Sequence, residues 1–494
     1  MPTTFAAVVL AAGRGMRMKS ARPKVMHAIA GQPMIHYVLD SVRKAGSTRT
    51  VVVIGRDMAD LAQAVAPHAT AVQDPPRGTG DAVVAAKKAL KTIVGDVVIV
   101  FGDTPFIEPK TITGLLAARR QPLSGGRFPS IAILGMRPRE PREYGRIKLA
   151  PDGSVEAIVE YKDATPEERK IGLCNSGVMA VDGKHLFELL EQIEPANAQG
   201  EFYLTDIVKV ARGINMPTVV VEGSPDEFMG IDSRSQLAVA EGLMQTRLRA
   251  RAMAEGVTLV DPRSVTFSYD TRLGRDCIVE PNVVFGREVQ VGANVLIKAF
   301  THIEGASVED DAVIGPFARL RPGARIGKGA HIGNFVEIKQ SEVEAGAKVN
   351  HLSYIGDARV GRGANVGAGT ITCNYDGFTK SRTEIGAGAF IGSNSALVAP
   401  VTIGDGAVIG AGSVIARDVA PGALALTRAE QKEIKGWAVR RRKERTPPKR
   451  PSLPRPTRAA RPKAAKPARP RPQTKAARTV RPRKRAAAKR GRKR

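Results

Sequence analysis

The chain has 494 residues, of which 43% are hydrophobic, and it carries a formal net charge of +28. This length predicts two to four domains, and the apolar fraction excludes a chain that is too polar to build ordinary cores. Most of the charge lies at the C-terminus: residues 440–494 contain 25 Lys and Arg and one acid, a net +24, which leaves +4 for the preceding 439 residues. The body of the protein is therefore nearly neutral, and the basicity belongs to its tail.

The cysteines and the N-terminus favour a reducing compartment. Cys174, Cys277 and Cys373 are far apart and odd in number, which indicates neither a disulfide framework nor a zinc site. The first apolar stretch ends at a glycine after a few residues and has no basic leader, so it predicts neither a secretory signal nor a membrane span. We expect a cytoplasmic protein without a transmembrane segment.

Residues 1–229 alternate β-branched runs with helical patterns, which predicts an α/β, Rossmann-like domain with a mostly parallel sheet. The predicted strands are Phe5–Leu10, Thr50–Ile54, Asp96–Phe101 and Ser130–Leu134, and the predicted helices include Pro33–Lys44 and Thr79–Lys91. Such folds bind ligands at the carboxyl ends of their strands. Residues 235–254 contain few helix breakers and predict one long connecting helix, so we place a linker at 230–253.

From about residue 257 the hydrophobic period becomes six. Aliphatic residues recur at this spacing in two runs, Ile314, Leu320, Ile326, Ile332 and Ile338, then Ile385, Ile391, Leu397, Ile403, Ile409 and Ile415. This period fits neither an α-helix nor a two-residue strand alternation, but it fits a solenoid in which each hexapeptide forms one flat side. We predict a left-handed parallel β-helix of hexapeptide repeats over residues 254–437, with Ile371–Thr383 projecting from it as a loop.

The segment 438–494 is dominated by Lys, Arg, Pro and Ala and predicts a disordered basic tail. Two interpretations of the tail stay open. Its charge suits a polyanion such as nucleic acid or anionic lipid headgroups, although it lacks the aromatic residues that would stack on bases. Alternatively, the tail is a solvated extension without a dedicated partner.

A small-residue turn follows the first predicted strand and predicts a phosphate site. Its backbone could approach a nucleotide and offer N–H groups to phosphate oxygens along Leu10, Ala11, Ala12 and Gly13. Arg17 and Lys24 supply cations where charge builds on a transferring phosphoryl group. Asp103, at the end of another predicted strand, is either a metal ligand or a carboxylate that caps a turn.

With these motifs the chain resembles the sugar-1-phosphate nucleotidyltransferases. The resemblance continues through Gln73, Gly78, Thr79, Phe101, Gly102, Asp103, Gly145, Glu160, Asn175 and Asp232. It implies that the turn holds the nucleotide, that the Gln and Gly-Thr elements select the uracil, and that the last glycine, the glutamate and the asparagine contact the sugar. It also implies a Mg²⁺ ion held by Asp103 and Asp232, and attack of a sugar-1-phosphate oxygen on the α-phosphorus of UTP with release of pyrophosphate.

Two positions depart from the pattern of that family. Asp232 stands in the motif GIDSR where Asn is usual, so we expect a metal site that persists with one more negative charge. Phe101 stands where Tyr is usual, which removes a hydroxyl that could contact the substrate.

The repeat region carries a candidate general base, His351, because the pKa of histidine ordinarily lies near neutrality. A histidine in a repeat is more often structural when it stands alone. Here it is accompanied by other polar and small residues of a specific pattern, Arg321, Lys339, Tyr354, Asn365, Ala368, Asn374, Tyr375, Ser393, Ala411 and Arg428. With these residues the region resembles the acetyltransferase domain of the bifunctional N-acetylglucosamine-1-phosphate uridyltransferase/glucosamine-1-phosphate acetyltransferases, and the whole resemblance covers about residues 5–437.

This resemblance implies that His351 takes a proton from the amine of glucosamine-1-phosphate as the amine attacks acetyl-CoA. The sugar phosphate would be bound by Arg321, Lys339, Tyr354 and Asn365. The acetyl-CoA cleft would be lined by Ala368, Asn374, Tyr375, Ser393, Ala411 and Arg428. The resemblance further implies a homotrimer with acetyltransferase sites between neighbouring solenoids, and a product, UDP-N-acetylglucosamine, that feeds peptidoglycan and lipopolysaccharide precursors.

Two alternatives remain. The chain could be a nucleotidyltransferase whose solenoid serves only for oligomerisation, but such a scaffold has no reason to carry His351, Tyr354, Asn374 and Tyr375. It could also be a basic nucleic-acid-binding protein with a degenerate enzyme body, but the phosphate-handling residues Arg17, Lys24 and Asp103 are all present.

Overall fold

The computed structural model describes residues 5–91, 95–141 and 143–445. Within these ranges the N-terminal domain contains eleven strands, in chain order β1 Phe5–Leu10, β2 Ala28–Ile29, β3 Gln32–Pro33, β4 Ser47–Gly55, β5 Ala69–Gln73, β6 Asp96–Phe101, β7 Ile131–Met136, β8 Arg146–Leu149, β9 Val155–Val159, β10 Cys174–Asp182 and β11 Thr218–Gly223. Nine of them form one sheet, and β2 and β3 pair separately as a hairpin.

The centre of the large sheet is parallel. Its strand order is β11-β7-β10-β6-β1-β4-β5, with β1 parallel to both neighbours and β5 parallel to β4. However, β10 lies between β7 and β6 and runs antiparallel to both, and β8 pairs antiparallel with β10 and with β9. The α/β fold is confirmed, but the sheet is mixed where the sequence predicted a mostly parallel one, because β10 returns in the opposite direction between two parallel segments.

Helices cover both faces of this sheet. They are α1 Met34–Lys44, α2 Ala59–Ala64, α3 Thr79–Ala85, α4 Lys87–Leu90, α5 Pro109–Arg120, α6 Gly183–Leu190 and α7 Ile207–Gly213. Alternate residues of β1 enter two separate buried clusters, Ala7 and Val9 in one, Ala6 and Val8 in the other. The helix predicted over Thr79–Lys91 is divided, because the N–H of Ala86 bonds only three residues back and tightens the last turn of α3.

Helix α8 (Arg234–Ala254) confirms the long helix predicted over 235–254. Its N-cap is Ser233, whose side chain accepts a hydrogen bond from the N–H of Gln236. Its buried residues share one continuous core with the repeat region and with Met18 of the N-terminal domain. The helix is therefore packed into both regions it connects.

The repeat region is a three-sided parallel β-helix. Its strands β12 to β37 follow in chain order: Thr258–Leu259, Arg272–Leu273, Ile278–Val279, Val284–Phe285, Gln290–Val291, Leu296–Ile297, His302–Ile303, Ala306–Val308, Val313–Ile314, Arg319–Leu320, Ala324–Ile326, His331–Asn334, Glu337–Lys339, Glu342–Val343, Lys348–His351, Tyr354–Gly356, Ala358–Val360, Asn365–Val366, Ile371–Cys373, Thr383–Ile385, Phe390–Ile391, Ala396–Val398, Val401–Ile403, Val408–Ile409, Val414–Ile415 and Leu424–Ala425. All their pairings are parallel, in three sheets of ten, eight and eight strands.

The period of six arises because each hexapeptide supplies one side of a coil. Ile314 lies on the ten-stranded sheet, which we call the first face; Leu320 lies on the second face and Ile326 on the third. The next repeat residue, Ile332, returns to the first face in register with Ile314. Because each aliphatic side chain meets its counterpart one coil later, the core is a stack of buried Ile, Leu and Val, and the predicted β-helix is confirmed.

The insertion is shorter than predicted. Ile371–Cys373 is a strand of the second face, and Thr383–Ile385 is a strand of the third. Both pair with strands of the neighbouring coils, so they belong to the solenoid. The segment that projects is therefore 374–382, at the corner between the second and third faces; we call it the inserted loop.

Residues 429–494 form a separate unit. Within it Trp437–Arg445 forms helix α9 with exposed side chains, so helix replaces the disorder predicted at its start, and the rest of the predicted disordered tail, 446–494, lies outside the described residues. The three cysteines are free thiols. Among the described residues, no helix combines the length and apolar character that crossing a membrane requires.

Candidate active sites

The turn after β1 emerges between two neighbouring strands. The N–H of Ala11 donates to the carbonyl of Val53 in β4, and the N–H of Gly102 donates to the carbonyl of Leu10. Gly15 has φ +67°, and a Cβ at this position would lie 2.6 Å from the Cβ of Lys24. Glycine is therefore required there, because only its missing side chain allows the turn to pack against Lys24.

Four charged groups of the first site form one cluster. Lys24 Nζ bonds to Asp103 and lies 2.7 Å from Asp232 Oδ1, and Arg17 lies 3.1 Å from Asp232 Oδ2. Burial opposes the charge of Lys24, but the two carboxylates outweigh burial and raise its pKa above the ordinary value. The structure thus brings Lys24 and Asp232, which are 208 positions apart, into one cation–carboxylate cluster at the carboxyl ends of β1 and β6.

The predicted uracil-binding residues meet where β5 ends and α3 begins. Gln73 Nε2 donates to the carbonyl of Gly78 and to Asp81, each at 2.9 Å. Thr79 Oγ1 accepts a hydrogen bond from the N–H of Leu204. Gly78 has φ +118°, and a Cβ there would lie 2.5 Å from the carbonyl oxygen of Phe202, so this position also requires glycine.

The three predicted sugar-contacting residues lie together on the antiparallel part of the sheet. The N–H of Asn175 donates to the carbonyl of Gly145, and a Cβ on Gly145 would lie 3.2 Å from Glu160 Oε2. Burial raises the pKa of Glu160, although the hydrogen bond from Thr205 Oγ1 opposes the shift. The Phe101 ring packs against Gly177 in β10. A Cβ added to Gly177 would lie 2.7 Å from the Phe101 ring atom Cε2.

In the β-helix, His351 ends a strand of the first face and is exposed. Its Nδ1 lies 2.7 Å from Asn334 Oδ1, which occupies the same position one coil earlier. Because an amide oxygen only accepts hydrogen bonds, Nδ1 carries the proton and Nε2 keeps the lone pair. Sequence reasoning missed Asn334; its signal is the spacing of 17 residues, about one coil, to His351.

The predicted sugar-phosphate residues lie mainly on the second face. Arg321 donates to Glu337 Oε1 at 2.8 Å, and Glu337 is in register with Tyr354. Lys339 lies on the same face, whereas Asn365 lies on the first face.

The inserted loop adds a cation to this face that sequence reasoning missed. Contact with Lys339 and its like charge lower the pKa of Lys380. Its signal was its place in the insertion, seven positions after the cysteine that ends the preceding strand. Two adjacent ammonium groups suit a ligand with more than one negative charge.

Small residues continue the corner that carries His351. Three backbone hydrogen bonds connect successive coils at this corner. The N–H of Gly369 donates to the carbonyl of His351, the N–H of Asn394 to the carbonyl of Ala368, and the N–H of Gly412 to the carbonyl of Ser393. Ala368 and Ser393 therefore follow His351 along the corner between the first and second faces, one coil apart, and Ala411 and Arg428 continue it near Gly392 and Gly410. The side chains along this corner beyond His351 therefore stay small as far as Arg428, and we call these positions the small-residue stretch.

Of the predicted acetyl-CoA residues, Asn374 has a different environment. Its side chain is buried, and its amide donates to Asp357, so it anchors the inserted loop to the solenoid. Tyr375 is exposed, and its hydroxyl donates to the carbonyl of Gly377 at 2.7 Å within the loop. The loop is thus an ordered projection held at its base.

Comparison with known proteins matches the two architectural regions separately. Residues 7–133 match the MobA-like NTP transferase domain, and residues 305–340 and 382–417 match the bacterial transferase hexapeptide (six repeats). Relatives named bifunctional protein GlmU match nearly end to end. That of Paramagnetospirillum magneticum is 56% identical over 88% of this chain and 96% of its own length. That of Rhodospirillum rubrum is 57% identical over 89% and 97%, and that of Azorhizobium caulinodans is 54% identical over 90% and 98%. With an α/β nucleotidyltransferase fold, a hexapeptide β-helix and this likeness along both, the chain belongs to the GlmU family of bifunctional proteins.

Proposed function

We propose that this enzyme makes UDP-N-acetylglucosamine in two steps at two sites. The β-helix transfers an acetyl group from acetyl-CoA to glucosamine-1-phosphate. The N-terminal domain then transfers a uridylyl group from UTP to N-acetylglucosamine-1-phosphate and releases pyrophosphate. The product supplies peptidoglycan and lipopolysaccharide precursors, and we expect the enzyme to act in the cytoplasm. The observation that carries this proposal is the presence, in one chain, of the Lys24 cluster at the strand ends and of His351 with an available Nε2.

At the acetyl-transfer site, the amine must be neutral to attack the thioester carbonyl. His351 Nε2 takes the proton of the attacking amine, while the Nδ1 bond to Asn334 fixes the ring and its tautomer. The C–S bond of acetyl-CoA breaks as the amide C–N bond forms, and the coenzyme leaves as a thiol after receiving a proton.

Binding at this site is assigned to the surroundings of His351. The cations Arg321, Lys339 and Lys380 bind the phosphate of glucosamine-1-phosphate, with Tyr354 and Asn365 beside the sugar. We assign acetyl-CoA to the small-residue stretch of Ala368, Ser393 and Ala411 that ends at Arg428, with Tyr375 contributed by the inserted loop. Asn374 acts through the loop that it anchors.

At the uridylyl-transfer site, the cation–carboxylate cluster serves an in-line displacement without a covalent enzyme intermediate. Arg17 and Lys24 neutralise charge on the transferring phosphoryl group. The N–H groups of the turn from Leu10 to Gly13 receive phosphate oxygens. Gln73, Gly78 and Thr79 hold the uracil, and the sugar lies against Gly145, Glu160 and Asn175.

Mg²⁺ fits the residues of this cluster. Asp103 and Asp232 both contact Lys24 Nζ, so their oxygens converge on one small volume. Across the described residues no third His, Cys, Asp or Glu joins them in a cluster, which suits an ion that keeps several waters and takes phosphate oxygens. When bound, Mg²⁺ would add positive charge to the phosphates.

A homotrimer is the expected assembly, and an exposed apolar corner supports it. Between the first and second faces, Phe300, Phe317, Phe335 and Leu352 are 45–61% exposed and all have φ between +50° and +60°. The three rings stack with centroids 4.9 and 5.1 Å apart. We call these four residues the apolar ridge.

A bulky residue in the left-handed conformation costs about 1 kcal/mol or more, so its repeated use on an exposed corner indicates a compensating contact. The ridge runs beside His351 and Asn334, while the outward positions of the third face are polar, for example Gln290, Ser307 and Arg325. We assign the ridge to contact with neighbouring copies, which would complete the acetyl-transfer site.

The basic tail keeps its two alternatives, a polyanion ligand or a solvated extension. Residues 446–494 lie outside the described residues. The competing functional alternative, a nucleotidyltransferase with the β-helix as scaffold, predicts that wild-type enzyme needs pre-acetylated sugar.

One experiment tests the two-site proposal directly. Purified wild type and His351→Ala receive glucosamine-1-phosphate, acetyl-CoA, UTP and Mg²⁺. We expect UDP-N-acetylglucosamine from wild type and an acetyl-transfer rate about 10²–10⁴-fold lower for the variant, because a general base contributes this much. The variant should form product normally when given N-acetylglucosamine-1-phosphate. If wild type also requires the acetylated sugar, the second site is a scaffold and the proposal is wrong.

A further inference from the structure

The first residue of α8, Arg234, lies behind the charged cluster of the uridylyl-transfer site. Its Nε donates to the carbonyl of Met18 at 3.2 Å, and its Nη1 lies 3.3 Å from His27 Nδ1. A guanidinium group is a donor only, so the imidazole nitrogen accepts this second bond. One planar group therefore connects the start of α8 to two short segments that follow β1.

Each segment in contact with Arg234 also carries a charged group of the cluster. Arg17 directly precedes Met18 in the 3₁₀ helix Met16–Met18. Lys24 begins the next 3₁₀ helix, Lys24–Met26, and His27 is the C-cap of that helix. Asp232 stands two positions before Arg234 in the chain. The two contacts of the guanidinium group, together with the position of Asp232 two residues before it, thus link the starting points of three functional side chains.

The backbone around Arg234 holds these segments in place. The chain reverses directly after Met18, because Lys19 adopts φ +48°, and the carbonyl that Arg234 binds lies at this reversal. Met18 is buried in the same core as Ile231. The N–H of Ile231 donates to the carbonyl of Asp103 at 3.1 Å, which fixes the segment before α8 against the end of β6.

We propose that Arg234 is a positioning residue for uridylyl transfer, which holds Arg17, Lys24 and Asp232 in their mutual geometry without touching substrate. This inference rests on the proposed function of the first site. Reactions that depend on positioning are sensitive to small displacements, and a misplacement of about 1 Å can cost about 10²-fold in rate. The other site, on the β-helix, carries none of these three residues and should not respond.

The test compares Arg234→Met with a matched control on the same helix. Arg249 also donates its Nε to a backbone carbonyl, that of Val265, at 2.9 Å, but does so at the β-helix end of α8. Arg234→Met should lower kcat for uridylyl transfer about 10- to 100-fold, in line with the cost of misplacement. Acetyl transfer by the same molecules should stay at the wild-type rate. Arg249→Met should keep both rates, and the thermal midpoints of the two variants should be similar.

A double-mutant cycle separates positioning from a merely structural role. If Arg234 acts through Arg17, then Arg17→Ala and Arg234→Met together should cost little more than Arg17→Ala alone. Arg234→Lys, which can donate to Met18 but has no planar fork, should recover part of kcat.

Two outcomes would overturn the inference: uridylyl transfer within about 2-fold of wild type in Arg234→Met, or equal losses in both activities of that variant, since positioning predicts a larger and selective loss. Strictly additive losses in the double mutant would overturn the part of the inference that concerns Arg17. A wrong functional proposal would look different, because wild type itself would then fail to release pyrophosphate from UTP and N-acetylglucosamine-1-phosphate.

Discussion

The two candidate sites are built in opposite ways. The first gathers groups from distant parts of the chain into a partly buried cluster, in which Lys24 contacts two carboxylates. The second lies on the outside of a β-helix, where His351 contacts a residue 17 positions away. There Lys339 and Lys380 stand beside each other, and their like charges are not neutralised by that contact.

This difference suggests how complete each site is within one chain. In the first site the charges compensate each other before any ligand binds, so its geometry is set by the fold. In the second site, the adjacent cations Lys339 and Lys380 suit an anionic ligand. The exposed apolar ridge suits contact with another apolar surface. The first site should therefore work in an isolated chain, and the second should depend on assembly.

The largest expected effect comes from breaking the first site alone. Lys24→Met leaves two carboxylates without their shared cation and removes positive charge from the phosphoryl group. We expect uridylyl transfer to fall about 10²–10³-fold, the usual cost of one electrostatic contact to a transition state. Pyrophosphate release measures it, with acetyl transfer by the same sample unchanged. Arg22→Met, an exposed cation two positions away, is the control and should retain both activities. A parallel loss of acetyl transfer would contradict the separation of the sites.

A second variant tests the dependence of the β-helix site on assembly. Phe317→Glu with Phe335→Glu places charges on the apolar ridge, and burying an unpaired carboxylate is strongly unfavourable. Acetyl transfer should fall in proportion to the fraction of assembled protein, measured by analytical ultracentrifugation, while uridylyl transfer persists. Phe128→Glu is matched in exposure, since Phe128 and Phe335 are both 56% exposed, but it lies in the N-terminal domain and should change neither. A monomer with full acetyl transfer would contradict the comparison.

The smallest effect concerns the buried carboxyl of the first site. Because burial raises the pKa of Glu160 in the folded state, stability is lost as pH rises from the ordinary Glu pKa of about 4.3 to the raised folded pKa. Glu160→Gln removes this cost, so its Tm should exceed that of wild type by a few degrees at pH 7. The two should converge below the ordinary Glu pKa of about 4.3, where both side chains are uncharged. The variant should also bind the sugar phosphate more weakly. Glu156→Gln, on the strand β9 that directly precedes Glu160, should show no such convergence.

Local sequence patterns predicted where strands and helices lie better than they predicted where these elements are interrupted. β1, β6 and α8 lie where the sequence indicated, because their apolar runs are continuous and their ends are marked. The division of the helix after Ala85 and the shorter inserted loop were not predicted, since each depends on hydrogen bonds that periodicity does not reveal. Ile371–Cys373 looked like an insertion in sequence, yet it pairs with both neighbouring coils.

Candidate site residues were predicted where a motif carried them and missed where only the fold did. Asn334 was missed because its relation to His351 is register across one coil. Lys380 was missed because its approach to Lys339 depends on how the inserted loop folds back. Asn374 was assigned to a ligand cleft, but its buried amide bonds to Asp357, and that contact exists only in the folded loop.

The sequence by itself determined the α/β domain, the connecting helix and the β-helix, because the spacing of their apolar residues matches one backbone geometry that buries them on a common side. Short motifs in it also predicted both sets of candidate functional residues. Only the tertiary structure decided that β10 runs antiparallel, that Lys24 joins Asp103 to Asp232, and that Arg234 ties their segments together. The physical reason is range: periodicity records which side of an element is buried, whereas strand direction and ion pairs such as Lys24–Asp232, 208 positions apart, depend on how whole elements pack.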